Sequence, residues 1–203
     1  ILLPALLIPV VAFSIYAFSG SGGEAGISAE PFVPSQQFDQ YWYQGKGELN
    51  GYDLKQARYG GVHEGNAVLV FVSEDFSTKA LTKSDGRNGP SLPVLKVNFD
   101  KKFLTGIYPY SMIMTVASPV DVNQHPRPLK VATSSQEWCG HTYTQFNLDG
   151  NEYEFTEHSY FPGEGDQARR MKATMLEDEV WTKIRIAPEK LPVGEVEMVP
   201  GTF

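Results

Sequence analysis

The chain has 203 residues, of which 41% are hydrophobic and 20% are charged. A chain of this length and apolar content builds one hydrophobic core and is not disordered. The net charge of −7 reflects 24 acidic against 17 basic side chains, and it gives no reason to expect a nucleic-acid partner. The single cysteine excludes an internal disulfide and any multi-cysteine zinc motif.

The first 18 residues carry no charged side chain and are long enough to cross a thin membrane. They predict a signal peptide over residues 1–19, or a membrane anchor if the segment is not cleaved. Residues 20–37 are rich in Gly, Ser, Ala and Pro and predict a flexible linker. We therefore expect an exported protein of the periplasm or cell envelope, which contacts the membrane through its N-terminal segment if that segment is not cleaved. Because the sequence begins at Ile1 rather than Met, we expect it to be a fragment that has lost a basic leader. We also expect the domain to be truncated at its C-terminus.

Residues 38–203 predict a mainly β domain, a curved antiparallel sheet or open half-barrel with one late α-helix. Period-two alternation and turn residues indicate the strands. The late helix is indicated by apolar residues at helical spacing between Met171 and Ile184, and Pro188 ends it. Strands do not alternate with helices, which argues against a doubly wound parallel sheet. The predicted strands are 52–59, 67–76, 93–99, 106–116, 129–132, 141–146, 153–160 and 193–199.

One predicted hairpin joins residues 141–146 to residues 153–160. With Asp149 and Gly150 as the two central turn residues, His141 lies directly opposite His158. Because alternate residues share a face, the hairpin then brings together five side chains that could bind a ligand or a metal. These are Glu137, Cys139, His141, His158 and Tyr160.

Three uses of this cluster stay open at this stage. A thiolate with two imidazoles is a ligand set for zinc or copper, and a Cys–His pair can act as nucleophile and base. The alternative is a structural histidine pair beside an ordinary buried cysteine. The sequence names no cofactor.

Aromatic residues recur along the predicted domain, at Tyr41-Trp42-Tyr43, at Tyr108 and Tyr110, and at Tyr143, Tyr153 and Tyr160. A curved sheet lined in this way can hold a lipid, or it can simply form a core. We therefore expect a non-enzymatic binding module for a lipid-like or peptide ligand in the envelope. The alternatives are a metal-dependent or thiol enzyme built on Cys139, His141 and His158, and a structural or assembly protein of the envelope.

Three stretches carry a family resemblance: YWYQGKGELNGYDLKQARYGGVHEGNAVLVFVSEDF from Tyr41, KKFLTGIYPYSMI from Lys101 and VATSSQEWCGHTYTQFN from Val131. Together they resemble an uncharacterised family of exported Bacteroidota proteins, some of which carry the label "septum formation inhibitor Maf". The chain lacks the Ser/Arg-rich phosphate motif of the Maf pyrophosphatases near its N-terminus. Residues 57–72 also resemble the opening hairpin of periplasmic half-barrel proteins, such as those of the DUF3108 type and the lipoprotein carriers. The resemblance implies export and a half-barrel, and it assigns no catalytic residue.

Overall fold

The computed structural model describes residues 36–203, with side chains from Phe38 onward. The predicted leader, 1–19, and nearly all of the predicted linker, 20–37, lie outside the described residues. The described chain begins with a short helix, α1 (Gln36–Trp42). No helix within residues 36–203 combines the length and the apolar character needed to cross a membrane.

Eight strands follow α1 and form one antiparallel sheet in which each strand pairs with its neighbours along the chain. The sheet does not close into a barrel, which confirms the predicted mainly β class with an open sheet. The strands are β1 (Glu48–Arg58), β2 (Gly61–Ser77), β3 (Ser91–Thr105), β4 (Tyr108–Pro119), β5 (Lys130–Gln136), β6 (His141–Asp149), β7 (Glu152–Ser159) and β8 (Gln167–Lys172).

This up-and-down order gives the sheet two different ends. The short connections after β1, β3, β5 and β7 all lie at one end, which we call the turn end. The connections after β2, β4 and β6 lie at the other end, which we call the loop end, and two of these are long.

The hydrophobic core lies on one face of the sheet. We call it the inner face, and it carries Leu69, Val97, Met114 and Val131, all of which are buried. After β8 the chain covers this face with β9 (Met175–Leu176), a 3-10 turn, α2 (Val180–Ile186) and β10 (Met198–Val199), which pairs in parallel with β9. Burial of these apolar surfaces drives the packing of the C-terminal segment onto the sheet.

The late helix exists but is shorter than the sequence predicts. It begins at Val180, whereas the predicted helix begins at Met171. Met171 instead pairs with Tyr153 across the β7–β8 ladder, and Met175 and Leu176 are buried in β9. Met171, Met175 and Leu176 recur at helical spacing although they lie in strands, because β8 and β9 both direct apolar side chains towards the same core.

Candidate functional site

A groove of about 600 Å³ opens on the inner face towards the turn end, beside the core. Strand alternation continues from the core into the groove, but the residue types change. Lys101, Met112 and Ser135 occupy successive positions across the sheet where the core has Phe99, Met114 and Thr133. The apolar core therefore ends there and a mixed lining begins, in which Lys101 Nζ lies 4.6 Å from the centre of the Phe203 ring at the end of the C-terminal segment.

Tyr110 forms the floor of the groove and is only 3% exposed. Its ring stacks on that of Phe103 with centroids 4.6 Å apart. Its hydroxyl lies 2.7 Å from the hydroxyl of Tyr59, and the Arg58 guanidinium lies over both tyrosine rings at 5.0 Å. Burial raises the pKa of Tyr110, and the hydrogen bonds with Tyr59 and Glu137 raise it further. The hydroxyl is thus a neutral hydrogen-bonding group at neutral pH.

Glu137 lines the groove near the same tyrosine, since its side chain is one cause of the raised pKa of Tyr110. One carboxylate oxygen of Glu137, Oε2, is buried and has no hydrogen-bond partner within the described residues. A buried acceptor without a donor costs about 1–3 kcal/mol, so this oxygen favours a ligand that brings an N–H or O–H group.

The charges of the groove separate into two sides. Arg58 and Lys101 come from β1 and β3, whereas Glu137, Glu157 and Glu164 come from the turn after β5, from β7 and from the connection after β7. Burial lowers the pKa of Lys101, and repulsion by Arg58 adds to this shift. The groove therefore offers a cationic side and a carboxylate side across an aromatic floor.

The structure brings only Glu137, of the five predicted site residues, into this groove. Glu137 and Gly140 oppose each other across the turn between β5 and β6, and Gln136 pairs with His141. The predicted cluster assumes that strand alternation continues from His141 back to Glu137, but the turn interrupts it, so Glu137 lines the groove and His141 lies on the outer face. The predicted five-residue cluster is therefore divided between two faces.

The predicted direct pairing of His141 with His158 is wrong. Gly150 and Asn151, not Asp149 and Gly150, are the central turn residues, since Asp149 pairs with Glu152. Gly150 has a φ of 60°, which fits a turn that needs glycine at its first central position.

This turn shifts the β6–β7 register by two residues. His158 consequently pairs with Tyr143, and the Tyr160 N–H donates to the His141 carbonyl at 3.3 Å. A shift of two keeps both histidines on the outer face as diagonal neighbours.

The other four predicted site residues have separate surroundings. His158 Nδ1 lies 3.3 Å from the Asp166 carboxylate. Cys139 is exposed in the β5–β6 turn, and its N–H donates to the Tyr108 hydroxyl at 2.6 Å. The Tyr160 side chain lies against Gly140. Among residues 36–203, no three His, Cys, Asp or Glu side chains are grouped so that they could hold a metal ion.

The sequence analysis missed Arg58, Lys101 and Tyr110 as members of one site. Each is a strand residue, and only the register across β1–β4 brings them together. One feature of the sequence does point to the site. Lys101 follows Phe99 by two residues, so a charged side chain stands at a position of β3 where alternation predicts an apolar one.

Comparisons with protein-family models, curated proteins and solved structures give no match to this chain. The functional argument therefore rests on the geometry of the groove.

Proposed function

We propose that this chain is a non-enzymatic binding module that holds a short peptide in the groove at the turn end of the inner face. The observation that carries the proposal is the pairing of a cationic side with a carboxylate side, where Glu137 Oε2 has no hydrogen-bond donor among residues 36–203. A peptide supplies N–H donors, carbonyl acceptors and two charged termini of opposite sign, and it therefore complements both sides.

A peptide fits this groove better than a lipid tail. A hydrocarbon chain placed against Arg58, Lys101 and Glu157 would remove water from charged groups without replacing their hydrogen bonds. The apolar floor formed by Phe103, Tyr110 and Met112 suits one aromatic or aliphatic side chain of the peptide. The cationic side would then hold the carboxylate end, and Glu137 the amino end.

The N-terminal sequence supports a proposal for where in the cell the protein acts. The uncharged residues 1–18 and the following Gly/Ser-rich segment are typical of exported proteins. We therefore expect peptide binding in the periplasm or cell envelope.

Titration calorimetry with two peptide pools tests the proposed function. The first pool contains uncapped tetrapeptides of random sequence, and the second contains the same peptides with acetylated N-termini and amidated C-termini. We expect heat of binding from the uncapped pool and much less from the capped pool, because capping removes both terminal charges.

Glu137→Gln tests the carboxylate side and should weaken binding of the uncapped pool by about tenfold, since a charge-assisted hydrogen bond contributes about 1.5–3 kcal/mol. Glu64→Gln is the matched control, because Glu64 is exposed on the opposite face of β2 and should leave binding unchanged. Equal binding of both pools, equal loss in the two variants, or binding of sodium oleate in place of the peptides would each contradict the proposal.

A further inference from the structure

A second cavity, of about 300 Å³, lies under the long connection between β4 and β5 and shares no lining residue with the groove. Its walls come from that connection, from β9 and α2, and from the segment that follows α2. We call it the C-terminal cavity. Its lining combines apolar side chains with three cations and one carboxylate, Arg127, Lys183, Lys190 and Glu197.

Two of these cations meet at one buried anion behind the cavity. The Glu179 side chain is fully buried, and its Oε1 accepts from Lys183 Nζ at 2.7 Å and from Arg127 Nη1 at 2.8 Å. Two positive charges therefore share a single negative one, and Lys190 adds a third cation at the exposed edge. The lining residues and Glu179 together comprise three cationic side chains and two carboxylates.

Arg127 still has hydrogen-bonding capacity towards the cavity. Its Nε donates to the Ala173 carbonyl at 3.2 Å and its Nη1 donates to Glu179. A guanidinium carries five N–H donors in a fixed fork, which suits a carboxylate or phosphate oxygen. The salt bridge to Glu179 fixes the orientation of this fork, so a ligand would not have to order the side chain itself.

The apolar lining residues of the cavity indicate which class of anion it would bind. Val122, Met175, Ala187 and Val196, with Pro126 and Pro192, give the cavity an apolar surface. Inorganic phosphate would gain nothing from this surface, and a neutral hydrocarbon would gain nothing from the cations. A cavity of this volume lies at the small end of ligand-binding sites.

We infer that the C-terminal cavity binds a small organic monoanion, a carboxylate that carries a short apolar chain. The carboxylate would lie between Arg127 and Lys183, and the chain would contact Met175 and Val196. This site is independent of the groove, and the failure of one proposal leaves the other standing.

Methyl NMR of the full chain with labelled methionines tests the inference, because Met175 lines the cavity and Met112 lines the groove. We expect sodium hexanoate to shift the Met175 methyl signal in a saturable way and to leave Met112 unchanged. Hexan-1-ol and sodium phosphate should each bind at least about tenfold more weakly than hexanoate. Hexan-1-ol lacks the negative charge, and phosphate lacks the apolar chain.

Two variants test whether hexanoate binds in the C-terminal cavity. Arg127→Gln should weaken hexanoate binding by about tenfold or more. Val196→Asp should abolish it by adding a negative charge at a 42% exposed lining residue, where the fold tolerates the change. Val193→Asp is the matched control, because Val193 is fully exposed and outside the cavity. Should Arg127→Gln fail to fold, Val196→Asp decides the question alone.

Three results would overturn the inference: no saturable Met175 shift with hexanoate, equal binding of hexan-1-ol or phosphate, or unchanged hexanoate binding in Val196→Asp.

Discussion

At the scale of single residues, Asp178 shows how the C-terminal segment is held on the sheet. Asp178 is 5% exposed, and its carboxylate accepts from the Thr202 N–H at 3.2 Å and from the Thr202 hydroxyl at 2.8 Å. Burial raises the pKa of Asp178, and the hydrogen bonds from Thr202 only partly oppose this effect. Phe203, the next residue, packs on Phe99 and lines the groove, so Asp178 helps to shape the proposed binding site.

The direction of this pKa shift predicts a pH dependence of stability. Because the folded state holds the Asp178 proton more tightly than the unfolded state, its contribution to stability is largest below the ordinary pKa of 3.8 and is lost as the pH rises through the raised value. Asp178→Asn has no such proton to lose. We therefore expect the free energy of unfolding of Asp178→Asn, relative to wild type, to be higher at about pH 7 than at about pH 4.

Urea unfolding at both pH values measures this difference. Glu64→Gln, which removes an exposed carboxyl group, reports the effect of net charge alone. A relative stability of Asp178→Asn that stays constant or falls with rising pH would contradict the prediction.

At the scale of elements, the contact between β2 and β3 requires a glycine beside the groove. A Cβ atom at Gly65 would lie 2.1 Å from the Lys102 carbonyl oxygen and 2.7 Å from Phe103 Cβ. Since the first of these atoms belongs to the backbone, relief would require the two strands to separate. Phe103 also stacks on Tyr110, so the same movement would disturb the floor of the groove.

Gly65→Ala should therefore lower the free energy of unfolding by about 3 kcal/mol or more, in the range of severe core substitutions. Gly51→Ala is the matched control, because a Cβ at Gly51 meets no atom within 4 Å, and its effect should stay within about 0.5 kcal/mol. Chemical denaturation of both variants checks this difference. Similar, small changes in the two would show that the strands are not in close contact at Gly65.

The element scale also shows where sequence reasoning succeeds. Alternation predicts strands over residues 52–59 and 67–76, and the structure pairs both segments in β1 and β2, with Tyr52 opposite Ala67. The connection is shorter than the glycines of residues 60–65 suggest, because the turn is Tyr59-Gly60 and β2 begins at Gly61. The β6–β7 hairpin was also predicted, but its register was wrong because the choice of central turn residues depends on backbone φ values. The sequence places Asp149, Gly150 and Asn151 together, and only the structure shows that Gly150 takes the first central position.

At the scale of the whole molecule, short-range sequence patterns are sufficient to predict the fold class, but they are not sufficient to predict the site. Every strand of the large sheet pairs with its neighbours along the chain, so alternation and turn signals are sufficient to predict an open antiparallel sheet. The groove combines residues from β1, β3, β5 and β7. These residues come together only if the register of every strand pair between β1 and β7 is predicted correctly. An error in the register of one pair moves its residues away from the predicted site. Glu137 was predicted as a site residue, but with the wrong neighbours.

The central claim is that the turn end of the inner face binds peptides, and methionine methyl NMR of the full chain tests it most directly. The five methionines report on different parts of the molecule, and Met112 alone among them lines the groove. On titration with the uncapped tetrapeptide pool, we predict a saturable shift of the Met112 methyl signal, with the Met175 signal of the C-terminal cavity unchanged. A Met112 signal that does not move at saturating peptide, or that moves no more than that of Met175, would contradict the account.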